Sequence, residues 1–213
     1  MADTGPTLVS IPVDDVELEG DLRVPDGASG LVVFAHGSGS SRKSPRNNFV
    51  AEVIRDHGVG TLLFDLLTER EDQVYENRFD IPLLTERLLG ATEWLRERDE
   101  TADLEYGYFG SSTGAAAALR AAADLGEQAG AVVSRGGRVD LAESRLGDVS
   151  APTLFIVGGA DEQVLELNRE ALTQLDCEKS LETVPGAGHL FEGPGELDEV
   201  ADFAANWFEK HLG

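Results

Sequence analysis

A serine with glycine two positions away on each side can be held at the tip of a tight turn. Ser112 has that setting, Gly110-Ser111-Ser112-Thr113-Gly114. The stretch follows an apolar run at 104–109 and opens an alanine-rich run at 113–125. A strand–turn–helix of this kind lifts the serine oxygen above the carboxyl edge of a sheet, where it can act as a nucleophile. The backbone N–H of Thr113 then lies at a helix N-terminus, where developing negative charge is favoured. The spacing selects Ser112 rather than Ser111. The plainer reading is a helix N-cap serine after a glycine turn.

Three more short stretches carry groups that a nucleophilic serine needs. His36-Gly37-Ser38-Gly39-Ser40-Ser41 follows the apolar run 31–35. Acyl transfer needs two donors aimed at the oxyanion, and glycine lets a backbone come close to substrate. The second donor, beside the N–H of Thr113, is assigned to the backbone N–H of Ser38, with His36 bracing the loop. A flexible glycine/serine turn is the alternative. Gly158-Gly159-Ala160-Asp161 follows the run 153–157 and offers a carboxylate that can orient an imidazole. Asp161 is the candidate, Glu162 its weaker neighbour, and a solvated turn acid the alternative. Pro185-Gly186-Ala187-Gly188-His189-Leu190-Phe191 follows the last short strand. Histidine takes up a proton near neutral pH, so His189 is the candidate base. His57 and His211 look like surface positions. The order Ser112, Asp161, His189, each after its own strand, argues against a merely solvated histidine.

Elements that could position these residues are legible around them. Residues 7–12 and 16–24 alternate apolar and polar positions, as in an antiparallel hairpin at a sheet edge. The runs 31–35, 59–64, 104–109, 130–134, 153–157 and 181–184 read as strands, most of them buried on both faces. Helices are expected over 49–57, 83–98, 113–125, 164–175 and 197–211; Leu84, Leu88, Ala91 and Leu95 mark one apolar face. An acidic loop is expected over 65–80. Only the eighteen residues 135–152 separate the strand at 130–134 from that at 153–157, too few for a sizeable helical lid. The alternation predicts an α/β fold in one domain over 1–213: a mostly parallel central sheet with an N-terminal antiparallel hairpin, helices on both faces and no large lid.

Forty acidic residues face 17 basic ones, a formal charge of −23. Self-repulsion of that size destabilises a compact chain at low salt, and salt screens it. A salt-adapted cytoplasm is one expectation; an ordinary, highly soluble acidic protein is the other. The same charge repels nucleic acid and anionic membrane surfaces. The first fifteen residues lack a basic region followed by an apolar run, so no secretory signal is expected. No run approaches the ~20 apolar residues of a membrane span. A cytoplasmic protein is expected. The single cysteine, Cys177, cannot form an intrachain disulfide or a thiolate metal site alone. No metal or cofactor is expected, and the sequence leaves the oligomeric state open.

The stretches HGSGSSR at 36–42, GSSTG at 110–114, VVSRGGRVDL at 132–141, IVGGADEQVLELN at 156–168 and VPGAGHLFEGPGEL at 184–197 resemble the α/β-hydrolase superfamily, and within it the small lidless hydrolases related to dienelactone hydrolase. The resemblance spans nearly the whole chain. It implies the α/β-hydrolase fold and hydrolysis of an ester, thioester or lactone through an acyl-enzyme. It places the nucleophile on Ser112, the acid on Asp161 and the base on His189. Dienelactone hydrolases proper carry cysteine at the elbow, so the serine here puts dienelactone itself in doubt as substrate.

Scarce positive charge gathers near the expected site. Arg42, Lys43 and Arg46 follow the first glycine loop, and Arg135 and Arg138 follow the strand after the elbow helix. Arginine suits bidentate recognition of carboxylate or phosphate. Arg42, Arg46, Arg135 and Arg138 are therefore candidate contacts to a small, anionic acyl substrate, against the alternative that they pair with the many surface acids. Amide cleavage or acyl transfer on the same scaffold, and a non-catalytic binding protein, are the competing functions.

Overall fold

A computed structural model of the chain describes residues 7–213, with only the backbone described at position 143. Residues 1–6, part of the stretch on which the secretory-signal expectation rests, lie outside it. Eight strands form one sheet: β1 (Thr7–Val13), β2 (Val16–Arg23), β3 (Gly30–Ala35), β4 (Gly60–Phe64), β5 (Glu105–Ser111), β6 (Ala129–Arg135), β7 (Thr153–Gly158) and β8 (Lys179–Val184). Their spatial order is β1-β2-β4-β3-β5-β6-β7-β8. The hairpin β1–β2 is antiparallel, as its alternating residues predict, and β2 adds antiparallel to β4. The remaining pairings are all parallel.

The helices are α1 (Pro45–Asp56), α2 (Glu69–Asp72), α3 (Ile81–Arg96), α4 (Thr113–Leu125), α5 (Glu162–Gln174) and α6 (Glu196–Leu212). The period of two along β3 divides the core. Leu31, Val33 and Ala35 join the cluster containing Leu84, Leu88 and the alanines of α4. Val32 and Phe34 join the cluster containing Val50, Ile54, Val200 and Phe208 of α1 and α6. Both faces of the sheet are thus covered, which is why β3 to β7 read as unbroken apolar runs.

Two expected loops are ordered. The acidic stretch 65–80 holds α2 and a 3-10 turn, Tyr75–Phe79. Thr68 accepts from the backbone N–H of Glu71 while the Glu71 carboxylate accepts from that of Thr68, a capping box written in the sequence as T-x-x-E. Arg78 grips Asp72 with two 2.8 Å bonds, and Arg87 holds Glu71 at 2.8 Å. The connection from β6 to β7 contains a ten-residue 3-10 helix, Val139–Asp148, pinned by buried Val139, Ala142 and Leu146. No helix of the described residues is long and apolar enough to cross a membrane.

Connections leave β3 toward β4 on one side and reach β5 on the other, so the order reverses at β3. In parallel sheets, ligands collect in the crevice outside the carboxyl ends of strands at such a reversal. The glycine-rich stretches 36–41 and 110–114 both lie there.

Candidate active site

β5 runs into α4 through a turn that small residues alone permit. A Cβ on Gly110 would lie 2.4 Å from Cα of Ala115, and one on Gly114 would lie 2.2 Å from the carbonyl oxygen of Ala35. Ser112 takes φ 50° and ψ −119°, a conformation that costs an L-residue about 1–3 kcal/mol. It stands at the N-cap of α4, yet its side chain makes no capping hydrogen bond. The bland reading of Ser112 as a helix cap therefore lacks the bond that would define it.

The turn is tied to its neighbours by backbone bonds. The Ser112 N–H donates to the Arg135 carbonyl at 3.2 Å, and the Arg138 N–H donates to the Ser112 carbonyl at 3.0 Å. Gly136, between those two residues, has φ 53°, and a Cβ there would lie 3.4 Å from both Cε1 and Nδ1 of His189. The 135–138 loop is thus bonded to Ser112 and also lies against the imidazole, so both groups share one rim of the sheet. Asn168 supports this loop from below: it is fully buried, and its Nδ2 donates to the Gly137 carbonyl at 2.9 Å. Sequence reasoning passed over Asn168. The available signal was an amide on the apolar stripe Val164, Leu165, Asn168, Ala171 of α5.

His189 Nδ1 and Asp161 Oδ2 are 2.7 Å apart. The loops that carry them are laced together, with the Gly159 N–H on the Val184 carbonyl and the Ala160 N–H on the Ala187 carbonyl. A Cβ on Gly158 would lie 2.3 Å from the latter oxygen. Ala187 and Phe191 are buried in the core on either side of His189, which stays partly open. Asp161 begins α5 without capping it, leaving its carboxylate to the imidazole.

The loop after β3 presses on the elbow, where a Cβ on Gly37 would lie 3.1 Å from Cβ of Ser112. His36 braces it. Nδ1 lies 3.0 Å from the Gly37 carbonyl and Nε2 accepts the Leu66 N–H at 3.0 Å, so the proton sits on Nδ1. Burial holds the pKa of His36 below the usual imidazole value, although the Gly37 carbonyl and Asp65 pull it upward. The Ser38 N–H donates to Oγ1 of Thr113 at 2.9 Å. Gly37, Ser38, Gly39 and Thr113 also border a narrow cleft that Asp72, Arg78 and Leu84 line, and that neither Ser112 nor His189 lines.

The four arginines differ. Arg42 pairs with Asp65 and Glu19, Arg46 with Glu192 at 3.1 Å, and Arg138 with Asp140 at 2.8 Å. Arg135 is 9% exposed, and its Nε and Nη1 have no partner. Burial, and then the like charge of Arg46, push its pKa down to about 10. Of the other histidines, His57 pairs with Glu209 at 2.8 Å. His211 is not the surface group it looks like in sequence: its side chain is only 10% exposed and packs on Trp207. The described residues contain no group of three or more His, Cys, Asp or Glu able to hold a metal ion.

A family model described as the dienelactone hydrolase family matches residues 59–212. A crystal structure of a dienelactone hydrolase from Anabaena variabilis is 53% identical, with a TM-score of 0.95 over 98% of each chain. Est1E from Butyrivibrio proteoclasticus shares the fold at 17% identity, with a TM-score of 0.82 over 96% of this chain and 98% of its own. Curated relatives from two strains of Mycobacterium tuberculosis, provisionally named phosphoribosyl transferases, are 55% identical over 204 residues. That alignment covers 96% of this chain and 46% of theirs, so the chain spans less than half the length of those relatives.

Proposed function

Because the chain belongs to the dienelactone hydrolase family, we propose that it is a serine hydrolase cleaving a small ester, thioester or lactone through an acyl-enzyme. Ser112 attacks the carbonyl carbon and His189 takes its proton through Nε2. Asp161 holds the Nδ1–H tautomer and steadies the imidazolium. The N–H of Thr113, at the start of α4, faces the oxyanion. Water, activated by the same histidine, then releases the acid. The observation that carries this reading is the Ser112 backbone, held at φ 50° with a hydroxyl that does not cap its helix. Strain of that kind persists where function requires it.

Arg135 is the group in this reading that meets an anionic part of the substrate, since Arg42, Arg46 and Arg138 have acid partners. Serine at the elbow supports an acyl substrate other than dienelactone. The name of the mycobacterial relatives belongs, in the same reading, to the portion of those chains that this one does not cover. The net charge of −23 supports a cytoplasmic, salt-tolerant protein that avoids nucleic acid and anionic membranes.

Turnover of p-nitrophenyl acetate by wild type and Ser112→Ala, at low and at molar salt, tests the reading. Loss of a triad serine costs on the order of 10⁶ in kcat. A fluorophosphonate should label Ser112 covalently. An unlabelled chain, or an alanine variant as active as wild type, removes the serine mechanism.

A further inference from the structure

The donor expected from the 36–39 loop is already engaged. The Ser38 N–H donates to Oγ1 of Thr113, the residue directly after the nucleophile. That oxygen therefore lies between the two arms of the site, the loop after β3 and the elbow, where Gly37 comes up against Ser112. It also borders the cleft that the loop lines.

A hydroxyl has one proton to donate and two lone pairs. Ser38 occupies one lone pair, and among the described residues no group accepts the Thr113 proton. Thr113 is 3% exposed, and a β-branched side chain is stiff at χ1. Swinging the oxygen aside to free the Ser38 N–H would strand a buried polar group and disturb tight packing. Donation of the free proton to a group bound between the loop and the elbow needs neither. A hydroxyl that accepts a hydrogen bond also becomes a better donor.

Resting on the serine-hydrolase reading, we propose that the side-chain hydroxyl of Thr113 is the second oxyanion donor, so that one residue supplies both its N–H and its O–H. Ser38 acts through it, fixing the rotamer and polarising the O–H. As the bond from Ser112 Oγ to the carbonyl carbon forms, the carbonyl π pair moves onto oxygen and the serine proton goes to Nε2 of His189. The Thr113 proton stays on its own oxygen and hydrogen-bonds the new oxyanion. Collapse returns the pair, breaks the bond to the leaving group and passes the His189 proton to it.

Thr113→Val keeps the shape and the backbone N–H and deletes only the hydroxyl. Its kcat for p-nitrophenyl acetate falls about 10²- to 10³-fold, the usual effect of losing one such donor, while KM changes less than ~3-fold. Thr113→Ser recovers most of the rate. Fluorophosphonate labelling of Ser112 in Thr113→Val proceeds more slowly and still reaches completion, which keeps this test separate from the serine mechanism. A Thr113→Val enzyme as fast as wild type, or faster, overturns the proposal, because a freed Ser38 N–H would then be the true donor. If the valine variant loses its fold by circular dichroism, Thr113→Cys, with its weak S–H donor, decides. A cysteine variant as fast as wild type overturns the proposal, and one at least ~10-fold slower sustains it.

Discussion

Nε2 of His36 accepts the backbone N–H of Leu66 at 3.0 Å, joining the loop after β3 to the loop after β4. The bond exists only while the imidazole is neutral, and burial holds the folded-state pKa below its usual value. Above about pH 6.5 the ring is neutral in both folded and unfolded chains and its protonation contributes nothing. As pH falls through that value, the unfolded chain binds a proton that the folded chain refuses. Stability is then lost at up to about 1.4 kcal/mol per pH unit, until the folded-state pKa is reached. His36→Asn should cost about 1–3 kcal/mol at pH 7.5 by stranding the Leu66 N–H. Its deficit against wild type should shrink between pH 6.5 and 5, since other groups titrate alike in both proteins. Paired urea melts at each pH measure this, and a constant deficit would mean that the ring does not titrate on unfolding.

Ser112 trades stability for position. Glycine tolerates φ 50° without a Cβ penalty, so Ser112→Gly should be more stable than wild type by about 1 kcal/mol while losing all turnover. Thermal melts alongside the esterase assay check both halves. A glycine variant that melts lower would show that the elbow is unstrained.

Arg135 is a buried guanidinium with two donor atoms unpartnered. A buried charge without a partner carries an uncompensated desolvation cost, which an apolar side chain of similar length does not. Arg135→Met should therefore melt no lower than wild type, yet lose at least ~10-fold in kcat/KM toward carboxylate-bearing esters, with neutral esters spared. Equal selectivity in the two proteins would remove Arg135 from substrate recognition.

The charge of −23 should make stability depend on salt. At about 1 M ionic strength the Debye length is about 3 Å, which screens repulsion between dispersed acids. Contact pairs such as Arg78–Asp72, at 2.8 Å, are closer than that length and survive better. A gain of about 2 kcal/mol raises Tm by roughly 4–8 °C at this chain size. Calorimetry from 0.05 to 2 M KCl should show that rise, and a flat or falling Tm would speak against salt adaptation.

The layered fold was legible because burial patterns are local. The alternation in β1 and β2, the apolar runs of β3 to β7 and the stripe Leu84, Leu88, Ala91, Leu95 each announce an element from a few neighbouring residues. The ordered parts of 65–80 and of the β6–β7 connection were harder to see. Short helices there depend on a capping box and on anchors such as Val139 and Leu146, and segments this short carry little helical periodicity. Asn168 was passed over because its partner, the Gly137 carbonyl, lies 31 positions away.

The same division runs through the candidate active site. Residue types and spacing by themselves determined which glycines must be small and which serine, acid and histidine stand at strand ends, because a tight turn after a strand is a local requirement. Tertiary structure alone decided how hydrogen bonds and charges are shared: that Thr113 takes the Ser38 N–H, that His211 is covered by Trp207, and that Arg135 lacks the acid partner its neighbours have. Such pairings follow from distances of a few ångströms between segments far apart in the chain, and spacing along the sequence carries no record of those distances.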